Sequence, residues 1–293
     1  MSPTVNGCVY ALATWSAVMN VELAQTIALI AYGNQHLSPL RRELRELFPF
    51  HSTFQYVSDV SFQKGKTLDL ILRRPEILAK NTRGWFSHLE TNGIRYLKLD
   101  LLNLQHLPPP YATSLFTAGG AWVIQTDQGK CWQPNWLFVQ QKSRQSRMWK
   151  VEYWERDNIP VIGDFPNIRT AYQDLESCLV EAQDFSMRRK FGWEKCFEKA
   201  LLLLHDPSPA LPFYADLLPS NFMNIKVRQL LAGALQAWVF GGLGSWNDMY
   251  ITDHSVEQEY QQISKNLYGA VIQSVGAVTN STVDDRLSQL SIL

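Results

Sequence analysis

Apolar positions recur along the chain with two spacings, and each predicts its own kind of element. From Lys226 to Ala277 the period is helical. Val227, Leu230, Leu231, Ala234 and Trp238 share one stripe, and Tyr260, Ile263, Leu267 and Val271 share another, because residues three and four apart lie on one helix face. Between them runs Gly241-Gly242-Leu243-Gly244-Ser245-Trp246-Asn247-Asp248. Gly241 stands where a helix C-terminus favours positive φ. Ser255, with Gln258 three residues on, makes a capping-box pattern for the second helix.

The same period marks helices earlier in the chain. Leu23, Ile27 and Ile30 share a face, with Asn20 as cap and Gly33 as stop. Ser38-Pro39 opens a short helix through Leu40, Leu44 and Leu47 that ends at Pro49. Pro75 opens another that closes at Asn92-Gly93. Beyond residue 167 the pattern is helical almost to the end. Ala171, Leu175, Cys178, Leu179 and Ala182 form a stripe, Phe191 to Leu204 a second helix, and Asp206-Pro207-Ser208-Pro209 a break.

Alternation with a period of two dominates the middle. Phe54, Tyr56, Val60 and Phe62 fall on one side of a strand, and Ile94 to Leu102 reads as another. From Ala121 to Arg156 the β signal is strongest. A strand through Thr126 meets the turn Asp127-Gln128-Gly129, and strands over Trp136–Gln141 and Met148–Arg156 complete an antiparallel meander. Two stretches stay open on pattern alone. Cys8 to Met19 is apolar on both parities, and Leu68 to Leu72 reads as a strand or a helical turn.

These patterns predict an α+β fold: an aromatic-rich, mainly antiparallel sheet with N-terminal helices, followed by a C-terminal helical part packed on it. Turn signals over Asp157–Asn167 place the division near residue 160, giving a mixed part over 1–160 and a helical part over 161–293, as two domains or one integrated one.

Composition narrows the function classes. Lys+Arg and Asp+Glu number 27 each, so the formal net charge is +0 and whole-chain electrostatics favour neither nucleic acid nor an anionic membrane. The loop Lys142-Ser143-Arg144-Gln145-Ser146-Arg147 is basic beside Trp149, but three charges at a hairpin tip read as a solvated loop. Polar residues interrupt the apolar N-terminal stretch throughout, which argues against a membrane span. Its lack of a basic start argues against a secretory signal. The 4 cysteines form no C-x-x-C, which fits free thiols in the cytoplasm.

Candidate chemistry is sparse. The 6 histidines make no H-E-x-x-H, and the His254/Glu257 pair has nothing to complete a metal site. No metal or cofactor is expected. Carboxylates for acid–base work are Asp248 and Glu152, the latter between aromatic strand residues but also beside Lys150 and Arg156 on its own parity.

Three clustered glycines, Gly241, Gly242 and Gly244, in a chain with 16 in all are costly to order. They imply a sharp bend or a close approach under the Trp246 ring. The bland reading is a corner pinned by tryptophan. The sharper one is a site where backbone N–H groups, Asn247, Asp248 and His254 meet a ligand. In the meander, Trp122, Trp136 and Trp154 are strand packing or else a ligand-binding aromatic wall.

With no complete catalytic constellation and abundant Trp and Tyr, the favoured expectation is a cytoplasmic, non-catalytic protein that binds a protein or small molecule, with a homo-oligomer open. The alternative is an enzyme on a small apolar or planar substrate, using Asp248, His254 and Glu152 between the aromatic sheet and the glycine corner.

Overall fold

The computed structural model describes residues 21–39, 46–64, 75–102, 122–139, 147–157, 159, 161, 163–219, 224–241 and 245–290, the last seven without their side chains. The readings of Asn20, Cys8–Met19, Leu68–Leu72, Gly242 and Gly244, and of most of the helix after Ser38 and of the basic loop, lie outside the described residues. The fold is α+β. Two compact units interleave in sequence: a sheet unit of Asn20–Asp164, Tyr214–Phe222 and Thr279–Leu293, and a helical unit of Met1–Met19, Phe165–Phe213 and Met223–Val278.

In the sheet unit, α1 (Val21–Leu37) is buried nearly all round, as its lack of Lys and Arg and its run of Leu, Ile and Ala demand. Strands β1 (Val57–Lys64), β2 (Glu76–Ala79), β3 (Leu97–Leu101), β4 (Trp122–Thr126), β5 (Lys130–Phe138) and β6 (Trp149–Asp157) form one sheet in the order β2-β1-β6-β5-β4-β3. The meander β3 to β6 is antiparallel throughout. Its β4–β5 turn places Gly129 at φ 79, where a Cβ would be strained. β1 joins parallel to β6, pairing Phe62 with Tyr153, and β2 joins β1 antiparallel.

Alternation along the register sorts the side chains onto two faces. Val60, Phe62, Trp132, Val151, Tyr153, Ile124, Leu97 and Leu99 share the face that α1 and α2 (Thr82–Thr91) cover. Trp85 of α2 stacks on Phe62 at 4.4 Å between ring centroids, and Phe62 stacks on Tyr153 at 5.2 Å. The Tyr153 hydroxyl donates to Gln25 Oε1 of α1 at 2.8 Å, and Gln25 Nε2 donates to the Thr53 carbonyl at 3.2 Å. Burial, with Glu22 nearby, pushes the Tyr153 phenol well above its usual range.

Three expectations need correcting here. Pro75 does not open a helix, because Glu76–Ala79 finds backbone partners on β1. Helix α2 starts instead where Asn81 Oδ1 accepts from Gly84 N at 2.7 Å. Phe54 and Tyr56 precede β1 in a turn, and a register shift between Val57 and Asp59 breaks the alternation, leaving Tyr56 exposed. β5 begins at Lys130, well before Trp136, since its pairing with β6 runs the full length of both strands.

In the helical unit, α3 (Ile168–Arg189) is capped by Asn167 and buries Ala171, Leu175, Leu179, Ala182 and Phe185. It packs with α4 (Glu194–His205) and α5 (Ile225–Gln236). α4 buries Phe197, Ala200 and Leu204 at helical spacing and leaves Leu202 exposed. Helix α6 (His254–Leu290) follows, its residues from Thr279 on belonging to the sheet unit. Two helix ends depart from the sequence reading. α5 stops at Gln236, ahead of Gly241. Asp253, not Ser255, caps α6: its Oδ1 accepts from the Ser255 and Val256 amides and the Ser255 hydroxyl, since a carboxylate answers several donors at once. No helix among the described residues is long and apolar enough to cross a membrane.

Candidate functional site

The corner after α5 is held by two residues. Trp246 is fully buried, and rings surround it: Phe197 at 5.1 Å, Tyr260 at 5.3 Å, Trp193 at 6.1 Å and Phe185 at 6.4 Å between centroids. Its indole N–H donates to Ser264 Oγ at 2.7 Å, its amide donates to the Val239 carbonyl at 3.0 Å, and its carbonyl accepts from the Tyr260 hydroxyl. Asn247 Oδ1 accepts from Gly241 N at 3.0 Å and from Ser245 Oγ at 2.7 Å. Of the polar groups nominated for a ligand, Asn247 and the Gly241 amide therefore serve the turn itself.

Asp248 ends the same 3-10 turn on the surface. His254 is the first residue of α6, with an exposed ring 3.9 Å from Glu257 and 3.1 Å from Gln258 Nε2. Among the described residues no three His, Cys, Asp or Glu side chains gather as metal ligands.

Glu152 lies on β6 in the sheet unit, opposite Ser61 and Asn135. Lys150 Nζ holds its carboxylate at 2.9 Å and is itself pushed up in pKa by that hydrogen bond. The three wall tryptophans do not share a wall. Trp122 and Trp136 pair with Leu101 and Val151 on the core face, while Trp154 pairs with Gln63 and Gln133 on the other. Trp122 is buried under the helices, and Trp154 carries the Arg156 guanidinium 5.9 Å from its ring.

Sequence reasoning passed over three groupings. The first is the open end of the β5–β6 hairpin. Phe138 is 62% exposed, Met148 43%, Tyr56 43% and Leu137 38%. Trp149 lies among them, its ring 5.7 Å from Phe138 and 6.1 Å from Trp136, and its amide donates to the Tyr56 carbonyl. The signal was present: Trp136-Leu137-Phe138 and Met148-Trp149 are apolar on both parities, and a strand covered on one face hides only one parity.

The second grouping is a hollow of about 50 Å³ lined by residues that include His88, Asn92, Lys130, Trp132 and Glu155. Lys130 Nζ sits on the buried Glu155 carboxylate at 3.0 Å. The third is a node around Asp216. Its carbonyl accepts from the Tyr32 hydroxyl at 2.9 Å and lies 2.7 Å from His51 Nε2; its carboxylate accepts from the Ser52 amide and hydroxyl. His51 Nδ1 lies against the Thr53 hydroxyl and amide, so the histidine does not activate Ser52 and the trio is no nucleophilic triad. Nothing in the sequence tied residues 51 and 216 together.

Comparison of the chain with protein-family models, with curated proteins and with solved structures finds no match.

Proposed function

We propose that this chain is a cytoplasmic, non-catalytic protein that binds a partner protein through the open end of its β5–β6 hairpin. One observation carries the reading: Phe138, exposed, packs its ring on Trp149 on one face of this hairpin end, and Leu137, Met148 and Tyr56 are exposed beside it, Leu137 on the opposite face. Isolated exposed apolar residues are ordinary, but several at one hairpin end with aromatic anchors among them support a recognition surface. Met and aromatic side chains are also those enriched at the centre of such interfaces. Arg147, whose guanidinium donates to the Pro49 carbonyl at 3.2 Å, supplies a polar margin.

The non-catalytic reading is supported by what the nominated groups already do. Asn247 is spent on the corner and Glu152 on Lys150, and Trp122, Trp136 and Trp154 divide between two faces. The test is proximity cross-linking in cells with the native chain and with Phe138→Asp. A protein cross-linked at this end by the native chain and lost with Phe138→Asp, in a variant of unchanged circular dichroism, is the expected result. An unchanged cross-linking pattern sinks the reading.

A further inference from the structure

The hollow of about 50 Å³ in the sheet unit lies where β5 begins, at the other end of that strand from Phe138. Most polar groups around it are spent on local structure. Gln128 Nε2 donates to the Asn92 carbonyl at 3.2 Å, and Asn92 Nδ2 donates to the His88 carbonyl at 2.8 Å, which ties the end of α2 to the β4–β5 turn. Thr126 Oγ1 accepts from Lys130 N and donates to Lys130 O, closing the turn itself. What remains is one ion pair. Lys130 Nζ donates to Glu155 Oε1 at 3.0 Å, and among the described residues the Glu155 carboxylate has no other donor, although its side chain is only 7% exposed. An ammonium carries three protons and a carboxylate about four lone-pair sites, so both partners keep capacity that buried groups normally use. Leu89, Ile94 and Trp132 form the buried part of the wall, and the Trp132 indole N–H has no acceptor there.

We infer that this hollow binds a small molecule by a carboxamide group, whose carbonyl accepts from Lys130 Nζ and whose N–H donates to Glu155. Charge, hydrogen bonding and size each select that group. Lys130 and Glu155 cancel one another, so the hollow draws in neither a cation nor an anion and suits a neutral polar occupant. The pair sets a donor beside an acceptor, and a carboxamide presents the complementary acceptor and donor on one planar group. A water needs at least about 10–15 Å³ of such space, so the hollow has room for a few waters or for one carboxamide with its attached carbon, and the rest of the molecule projects through the polar mouth. The apolar wall of Leu89, Ile94 and Trp132 takes the carbon.

The probe is acetamide, with acetone and acetate as controls, read on the backbone and indole N–H resonances of the full chain by NMR. Acetamide is expected to shift the Trp132 indole and Lys130 amide signals along saturable curves, with a millimolar Kd because so few atoms bind weakly on their own. Acetone lacks the N–H, and acetate brings a second negative charge to Glu155. Each is expected to bind at least about tenfold more weakly, the loss of one hydrogen bond to a charged group. Lys130→Met keeps the aliphatic stem, removes the ammonium and is expected to weaken acetamide by at least about tenfold as well. If Lys130→Met loses its near-ultraviolet dichroism, Lys130→Met combined with Glu155→Leu replaces the ion pair by an apolar one and carries the same measurement. Shifts that stay linear with acetamide, or that are equal for all three solutes, show a hollow that holds water alone and overturn the inference. Native affinity in the variant overturns it too.

Discussion

The ring of Phe165 lies directly against the backbone of Gly276, so that a Cβ at position 276 would fall 2.1 Å from its Cδ1 and 2.3 Å from its Cε1. Gly269, two turns earlier on α6, has open space where a Cβ would stand, with nothing within 4 Å. The two glycines therefore predict opposite outcomes. Gly276→Ala is expected to lower unfolding free energy by about 1–3 kcal/mol through overpacking. Gly269→Ala should raise it by up to about 1 kcal/mol, the helix-propensity gain. Urea titrations check both, and Phe165→Leu should restore most of the loss in Gly276→Ala. Equal effects at the two sites would remove the close approach from the account.

Trp246 and Asn247 hold one corner by different means, and their removal separates apolar from polar contributions. Trp246→Ala deletes a fully buried indole and leaves a cavity among Phe185, Phe197 and Tyr260, at a cost of about 3–5 kcal/mol. Asn247→Ala removes two hydrogen bonds at an exposed turn, at a cost of about 1 kcal/mol. Denaturant midpoints should keep that order. The reverse order would mean the glycine-rich turn depends on Asn247 more than on the ring packing beneath it.

The Asp216 node predicts a pH dependence of known sign. Burial works to raise the Asp216 carboxyl, but the Ser52 hydroxyl and amide, with His51 behind them, outweigh it and hold the group below its usual range. A carboxyl depressed in the folded state adds stability that is present above its unfolded pKa, near about 3.9, and is lost as pH falls through the lower folded value. Asp216→Asn should therefore be less stable than the native chain at neutral pH, and the two stability curves should converge as pH falls below about 4. Parallel curves down to pH 2 would show that Asp216 contributes no proton linkage.

Thiol reactivity follows burial. Cys131 is 1% exposed, and burial, with Asp100 adding a little, pushes its thiol up to about 11. Burial raises Cys178 and Cys196 as well. Because the thiolate is the reactive form, iodoacetamide at pH 8 should label Cys131 only in denaturant, read site by site with mass spectrometry. Labelling of native Cys131 at the rate of a free peptide would contradict its place in the sheet.

Local periodicity carried much of the fold into the sequence. The α3 stripe from Ala171 to Ala182, the β4–β5 turn at Gly129 and the meander from β4 to β6 follow from patterns along neighbouring stretches of chain, the range over which helices and hairpins form their hydrogen bonds. Glu76–Ala79 was misread because its strand character comes from β1 and not from its own four residues.

The candidate site was legible in smaller part. Trp246 could be singled out from its place beside Gly241-Gly242-Leu243-Gly244 in the sequence. What that tryptophan touches could not, because Phe185, Phe197 and Tyr260 come from three helices. The exposed hairpin end was hidden for a related reason: apolar residues in a strand read as core until a covering layer is shown to stop short of them.

Taken alone, the chain determined its α+β class, its helical stripes and its hairpin, all set by steric and hydrogen-bonding preferences within a turn or two. Tertiary structure decided which distant backbones meet. The parallel pairing of β1 with β6, Asp216 against Ser52 and His51, and Asn34 and Asn280 on the edge of β3 join residues 63 to 181 positions apart or belong to no local period. Such contacts are chosen by which buried polar groups can find a partner once the core has closed, and that is a property of the assembled molecule.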